Sequence, residues 1–522
     1  DTIYKILEKN GYKDNYKLYL SSEIKLSKSR GDLFKYVLED LNIESLNMLH
    51  IGDNYRSDVE MPRKLKIKSM HLPKATDVAQ NQEKVNLFAK MLTQNMPFWR
   101  DNASAMNFIG IRTMFAMSAN KYFDNPFIAF NQYSDFNADP YLIGYYILGM
   151  YTFGISKWLL EETQGKGYTN MVFMARDGYI MEKVYRELEY NNDIPDKYFE
   201  ASRRSLRVPS YCKDSSLESV IKESPLLSTT NMEQLLDSLG LEILDYKDKI
   251  EKYGITLDEH IKRDELIYKN DFIKFYEEIK QELEENTNKD FKELIKNLIQ
   301  TLNNQGISND ITGYYLGLSK KSKQNLGANG YKAKGYLFDC LNNDTDTDIV
   351  IAFRPLFETL FLEQAGSVKC YETQKDGKTI SVRYEYEYVK DKELSHEAKK
   401  VLNIQTGAVD FVRAFKDSKV SAYINSDKEI LFKYIYETGT NPNMEDVRRF
   451  GDFIFFNNGC GNYLAKPQKL RKYIVNPKMC LSDLSESQWK LGFLKYIIKV
   501  PFPYLRIYLM LHKMNNNEED LD

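Results

Sequence analysis

Apolar positions along the first 75 residues switch between two periods. Over 2–10 they recur at helical spacing and stop at Gly11. Residues 16–20 then read as a strand, 31–41 as a helix, 47–51 as a strand, 52–58 as a polar turn, 59–65 as a helix and 68–72 as a strand. Strands alternating with helices at this spacing predict βαβ units and a parallel sheet. A stretch of about 75 residues is short for such a domain, and the sequence opens inside a helical pattern. Residues 1–78 are therefore expected to be the C-terminal part of a larger α/β domain.

Residues 79–165 read as a helical connector rich in aromatics, with small and bulky residues mixed in YLIGYYILGMYTFGISKWLL as suits a buried helix. A second α/β lobe is expected over 166–400. It opens with the strand MVFMA over 171–175, the polar turn Arg176-Asp177-Gly178 and a helix from Tyr179. Residues 215–305 read as a helical insert whose charges of mixed sign predict a solvated face. Strand patterns return over 311–316, 335–338 and 348–353, the last running into helix-like RPLFETLFLEQ, and 381–389 alternates as an edge or hairpin strand. Residues 401–522 read as mixed and mostly helical.

Composition narrows the classes of function. Of 522 residues, 43% are hydrophobic, enough for packed cores, which excludes wholesale disorder. Lys and Arg (72) nearly balance Asp and Glu (75), and the net charge of −3 argues against nucleic acid as a partner, because phosphate binding leaves a basic footprint. Five cysteines, far apart and odd in number, suggest neither a disulfide framework nor a zinc site and fit a reducing cytosol. No apolar run approaches the roughly 20 residues of a membrane span, and no signal-peptide pattern opens the sequence, so a cytoplasmic protein is expected.

The chemistry concentrates in LHIGDNYRSDVEMPRKLKIKSMHL. A strand ends at Gly52, whose missing side chain leaves room for a ligand, and Asp53 and Asp58 follow on the loop at the strand's carboxyl end. Open α/β sheets bind ligands at that edge. Two carboxylates with few other ligands suit Mg²⁺, which completes its shell with water and phosphate. Lys28, at the start of a helix, is placed to pair with a phosphoryl oxygen or to hold a carboxylate ionised. The bland alternatives are an Asp-capped helix and a surface lysine.

KSRGDLF followed by HIGDNYRSDVEMPRKLKI resembles motifs III and IV of the haloacid dehalogenase (HAD) superfamily of phosphohydrolases. The wording YLSSEI…KSRGDLFKYVL…HIGDN, with MARDGYIMEKVY, YFEASRRSLRVPS and ITGYYLGL further on, is similar to large HAD-like proteins encoded with cell-surface polysaccharide biosynthesis. The resemblance implies a partial HAD-like Rossmannoid lobe followed by a second α/β lobe with large helical insertions. It makes Lys28 the motif III lysine, Asp53 and Asp58 the Mg²⁺-binding acids, and the substrate a phosphorylated sugar or glycan precursor, with glycosyltransferases as candidate partners. The nucleophilic DxDxT and the motif II residue are expected ahead of residue 1, although Ser21 also ends a strand reading. On this expectation the chain does not turn over by the HAD route. The alternative is a non-catalytic binding or scaffold protein of a surface-polysaccharide system.

In the second lobe, Asp177 ends an apolar strand, and Ser202, Arg203 and Arg204 follow the next apolar segment. Arginines recognise phosphate bidentately, so Asp177, Ser202 and Arg203 form a candidate phosphate or sugar-phosphate site, against a plain ion pair between Asp177 and an arginine. Asp177 as a nucleophile lacks the second acid, since Gly-Tyr follows it. Arg354 and Glu358 fall one helical turn apart as a local ion pair, and Asp339 is a further acid at a strand end. KYIIKVPFPYLRIYLMLHK, with basic and aromatic residues, reads either as an interfacial helix giving peripheral membrane contact or as a segment packed on the body.

Overall fold

The computed structural model describes residues 2–80, 102–123, 131–302, 312–315, 332–335, 352–423 and 435–510, apart from 14–15, 132, 135–138, 225, 227–228, 258, 386–387, 391–392, 458–459, 499–502 and 507. The chain is mixed α/β, with seven two-stranded sheets among these residues. Contacts divide it into two units, residues 1–90 with 115–129, and residues 91–114 with 130–522.

The first unit holds helices α1 (Thr2–Lys9) and α2 (Asp32–Leu41), strand β1 (Leu49–Gly52), helix α3 (Met61–Lys64) and strand β2 (Lys68–His71). Leu33, Phe34 and Val37 bury one face of α2, and Asn42 closes it in the left-handed conformation. β1 and β2 pair in parallel, from Leu49 opposite Lys68 to Gly52 opposite His71. The expected βαβ alternation is thus present from residue 47 onward. Residues 16–20 differ from their strand reading: they pair with no strand among the described residues. Side-chain bonds from Lys17 and Tyr19 to Asp40 tie this segment to the end of α2, and Ser21 opens a one-turn helix, Ser21–Ile24, instead of closing a strand.

In the second unit, a helical run through Pro140–Ile143, Gly144–Leu148 and Gly149–Thr163 (together α4) is buried nearly all round from Ile143 to Ser156. That explains its mixture of glycines and aromatics. The parallel strands β3 (Met171–Met174) and β4 (Asp196–Phe199) are each followed by a helix, α5 (Tyr179–Glu187) and α6 (Arg203–Ser210). The charged insert forms several helices, the longest being α7 (Asn270–Thr301). It has its own core, in which Phe275, Ile279 and Leu283 of α7 meet Leu235, Leu236 and Ile250. Its charges stay outside, where Lys249 pairs with Glu282 and Lys252 with Glu278, as the mixed signs predict.

The strand expected over 311–316 is β5 (Thr312–Tyr315), parallel to β6 (Lys332–Gly335). The strand over 336–338, most of that over 348–353, and Asp339 lie outside the described residues. Helix α8 (Arg354–Phe361) begins where expected. The alternating run near 381 belongs to a hairpin of β7 (Val368–Thr373) and β8 (Thr379–Arg383), whose first strand the pattern did not signal. Helix α9 (His396–Asp417) packs on α4, with Phe411 edge-on to Tyr145 and Phe415 edge-on to Phe153. Beyond the hairpin of Ile454–Asn457 and Cys460–Tyr463 come α10 (Leu470–Val475), α11 (Pro477–Glu486) and α12 (Lys490–Ile497). No described helix is long and apolar enough to cross a membrane. Cys212, Cys370 and Cys480 are free thiols.

Candidate functional site

The first site is built where β1 stops. Asn54 accepts the Ser57 N–H on its side chain and so starts a helical turn over Tyr55–Glu60 that drives Asp58 and Val59 inward. Asp58 is 1% exposed. Its Oδ1 accepts from Lys28 Nζ at 2.6 Å and lies 3.0 Å from His50 Nε2, while its Oδ2 accepts the Asn54 N–H at 3.0 Å. Burial pushes the Asp58 pKa up, but these three bonds outweigh it and bring the group to about 2, so the carboxylate is firmly ionised. Of the two roles open to Lys28, holding a carboxylate ionised is the one its contact serves.

Gly52 has a reason other than the expected one. A Cβ there would stand 2.4 Å from Asp58 Cγ. The space that reads as room for a ligand is filled by the Asp58 carboxylate itself.

Asp53 faces outward, its side chain 41% exposed, and its Oδ2 meets Lys74 Nζ at 2.9 Å. The Lys74 bond holds its pKa below the ordinary value, and the negative Asp58 opposes that slightly. The two acids therefore sense one another on one loop. The Asp53 carbonyl oxygen is 2.9 Å from His71 Nε2, which fixes the loop to the end of β2. His50, His71 and Lys74 were missed in the sequence. The available signal for His50 was its place two residues before Gly52, which puts both on one face of the strand.

Carboxylate oxygens are the donors a hard divalent cation takes: Asp53 reaches solvent beside an exposed lysine, whereas Asp58 is 1% exposed and already holds Lys28, His50 and the Asn54 N–H. Among the described residues no cluster of three or more His, Cys, Asp or Glu could hold a metal, so a cation here would rely on water or phosphate for its remaining ligands.

A second constellation lies at the carboxyl ends of β3 and β4, whose last residues, Met174 and Phe199, are register partners. Asp177 and Arg203 follow in the adjacent loops. Asp177 accepts no hydrogen bond and has no cation at contact distance among the described residues; Arg176, Arg203 and Arg354 act on it at longer range. Asp177 is exposed, yet the chain crowded around its carboxyl raises its pKa by desolvation, against the pull of Arg176, Arg203 and Arg354. Burial likewise raises Glu358, opposed by Arg354 and reinforced by Asp177. Arg354 Nε pairs with Glu358 at 2.9 Å along α8, as the spacing predicts.

The arginines divide by task. Arg176 donates to Tyr388 Oη and the Phe456 carbonyl, and Arg204 to the Lys369 carbonyl, so both hold structure. Arg203, the first residue of α6, is exposed and makes no hydrogen bond or ion pair among the described residues. The Ser202 hydroxyl is occupied: it caps α6 by accepting the Ser205 N–H and donates to the Val368 carbonyl at 2.6 Å. Its contribution is to place Arg203. Arg354 and Glu358 join the group, a link the sequence could show only as a helical spacing. The chain matches no family model and no curated protein.

Proposed function

We propose that the first unit carries the metal- and lysine-bearing part of a HAD-like, Mg²⁺-dependent phosphohydrolase or phosphotransferase site, acting on a phosphorylated sugar or polysaccharide precursor. The observation that supports it is the Lys28–Asp58 pair beside Asp53 at the carboxyl end of a parallel strand pair. Lys28 and His50 keep Asp58 anionic, and Asp53 offers a second carboxylate at the solvent edge. Mg²⁺ held there would neutralise a phosphoryl group and fix its orientation.

The test is isothermal titration of Mg²⁺ into the chain and into Asp53→Asn. The expected outcome is an affinity at least about tenfold weaker in the variant; equal affinities overturn the metal assignment. Phosphate release from p-nitrophenyl phosphate and glucose 1-phosphate measures turnover separately. If metal binds and nothing turns over, the second reading, a non-catalytic binding or scaffold protein of a surface-polysaccharide system, takes its place.

In the second unit, the same reading assigns Arg203 and Arg354 to the phosphate of such a precursor, with Asp177 and Glu358 bonding its hydroxyls. Arg203 opening the helix after parallel strand β4, with Arg354 acting on the same Asp177, supports this assignment.

A further inference from the structure

Of the two readings of KYIIKVPFPYLRIYLMLHK, packing on the body is the one its described residues follow. Tyr504 and Tyr508 are buried with Leu491, Leu494 and Ala352, and Ile498, Leu505 and Leu509 pack against them. The exposed apolar surface lies just upstream, at the corner of α10 and α11. Leu470, Ile474, Val475 and Leu481 are 56%, 74%, 86% and 62% exposed.

This corner is pinned from beneath by one residue. Tyr473 is buried, donates to Asp483 Oδ2 at 2.6 Å and accepts the Gln468 N–H at 2.7 Å. With Tyr473 facing inward, the helical turn sends Leu470, Arg471, Ile474 and Val475 out together. The charge around them has one sign: between Asp452 and Asp483 the sequence carries five basic residues and no acidic one. Lys466 has a carboxylate partner in Asp452, whereas Lys469, Arg471, Lys472 and Lys478 make no ion pair among the described residues. Lys466 also lies over the half-exposed ring of Tyr463, 4.6 Å from its centre.

From this arrangement we infer that the α10–α11 corner docks on an anionic lipid surface. Aliphatic tips enter the headgroup boundary, the unpaired cations face lipid phosphates, and Tyr463 sits at the depth where an amphipathic ring belongs. A soluble exposed face has no use for four large aliphatic groups on one corner. A protein partner rich in acidic residues would satisfy the cations but leave these tips less well served, so lipid is the better fit.

The test is co-sedimentation of the full chain with phosphatidylcholine vesicles carrying about 30% phosphatidylglycerol, and with phosphatidylcholine alone. The expected result is partitioning at least about tenfold stronger to the anionic vesicles, weakened by salt. Ile474→Ser with Val475→Ser, and separately Arg471→Glu with Lys472→Glu, should each reduce it by about tenfold or more, with unchanged circular dichroism. All four residues are exposed, so folding is not the expected point of failure. Absence of binding to anionic vesicles overturns the proposal, as does equal binding by both double variants. A concentration-dependent dimer that these substitutions abolish, with no vesicle binding, would instead make the corner a protein interface.

Discussion

Lys28 and Asp58 form an ion pair with one partner in water and the other out of it: the lysine side chain is 42% exposed, the aspartate 1%. The two ends should therefore respond differently to substitution. Asp58→Asn keeps the shape but leaves one acceptor facing three donors, so at least one donor at the buried group loses its partner. We expect destabilisation of about 2–4 kcal/mol. Lys28→Met leaves Asp58 with His50 and the Asn54 N–H, and should cost about 1–2 kcal/mol. Urea unfolding at neutral pH separates the two; a larger loss for Lys28→Met would contradict the asymmetry.

The same carboxylate determines residue 52. Because a Cβ at Gly52 would meet Asp58 Cγ at 2.4 Å, Gly52→Ala must displace the Asp58 side chain or the strand end. About 1–3 kcal/mol of destabilisation is expected. If the aspartate moves, it also leaves Lys28, and Mg²⁺ affinity should fall along with stability. A variant as stable as the parent, with unchanged Mg²⁺ binding, would show that the loop has slack.

The helix contact between α4 and α9 is a backbone approach. A Cβ at Gly144 would lie 1.8 Å from the Ile404 carbonyl oxygen, and one at Gly407 would lie 2.2 Å from that of Tyr141. Neither obstacle is a side-chain end that can swing away. Gly144→Ala and Gly407→Ala should each destabilise the second unit by about 3 kcal/mol or more. Thr406→Ala, exposed on the same helix, should stay within about 0.5 kcal/mol. Thermal unfolding of the three variants checks the ranking.

What the sequence made legible follows from the range of each signal. Local punctuation located Gly52, Asp53 and Asp58 after a strand, and Arg354 and Glu358 on one helical turn. These depend only on neighbours a few residues apart. His50 could be seen but not interpreted, because its partner is fixed by the turn over Tyr55–Glu60, which swings Asp58 back under the strand. Residues 16–20 have strand-like residues, but a strand needs a partner, and Asp40 takes Lys17 and Tyr19 instead. Strand β7 was missed for the converse reason: its register with β8 supplies the order that its own pattern does not announce. Tyr504 and Tyr508 could be read as interfacial or as packed on the body, because burial by a distant segment around Ala352 leaves no local trace.

The last prediction separates stability, read at Asp177, from binding, read at Arg203. Asp177 is exposed, but the chain crowded around its carboxyl raises its pKa above the ordinary 3.8, against the opposing charges of Arg176, Arg203 and Arg354. A raised carboxyl pKa means the folded state holds the proton to higher pH than the unfolded chain. Between 3.8 and the folded value the native form binds more protons, so stability falls as pH rises through that window and stays lower above it. Asparagine does not titrate. Because solvent screens the exposed carboxyl, Asp177→Asn should melt only slightly higher than the parent near pH 7, with a smaller advantage at about pH 3.5. Arg203→Met removes an exposed cation with no described partner and should leave the melting temperature nearly unchanged. It should nevertheless weaken glucose 1-phosphate binding by about tenfold to a hundredfold, since a charge-assisted bond to phosphate is lost. Inorganic phosphate should lose affinity in parallel, and glucose should bind neither protein appreciably. Calorimetry on the parent and both variants reads all of this. If Arg203→Met binds the sugar phosphate as the parent does, the second-unit site is wrong. The Mg²⁺ assignment at Asp53 and Asp58 stands or falls on its own titration.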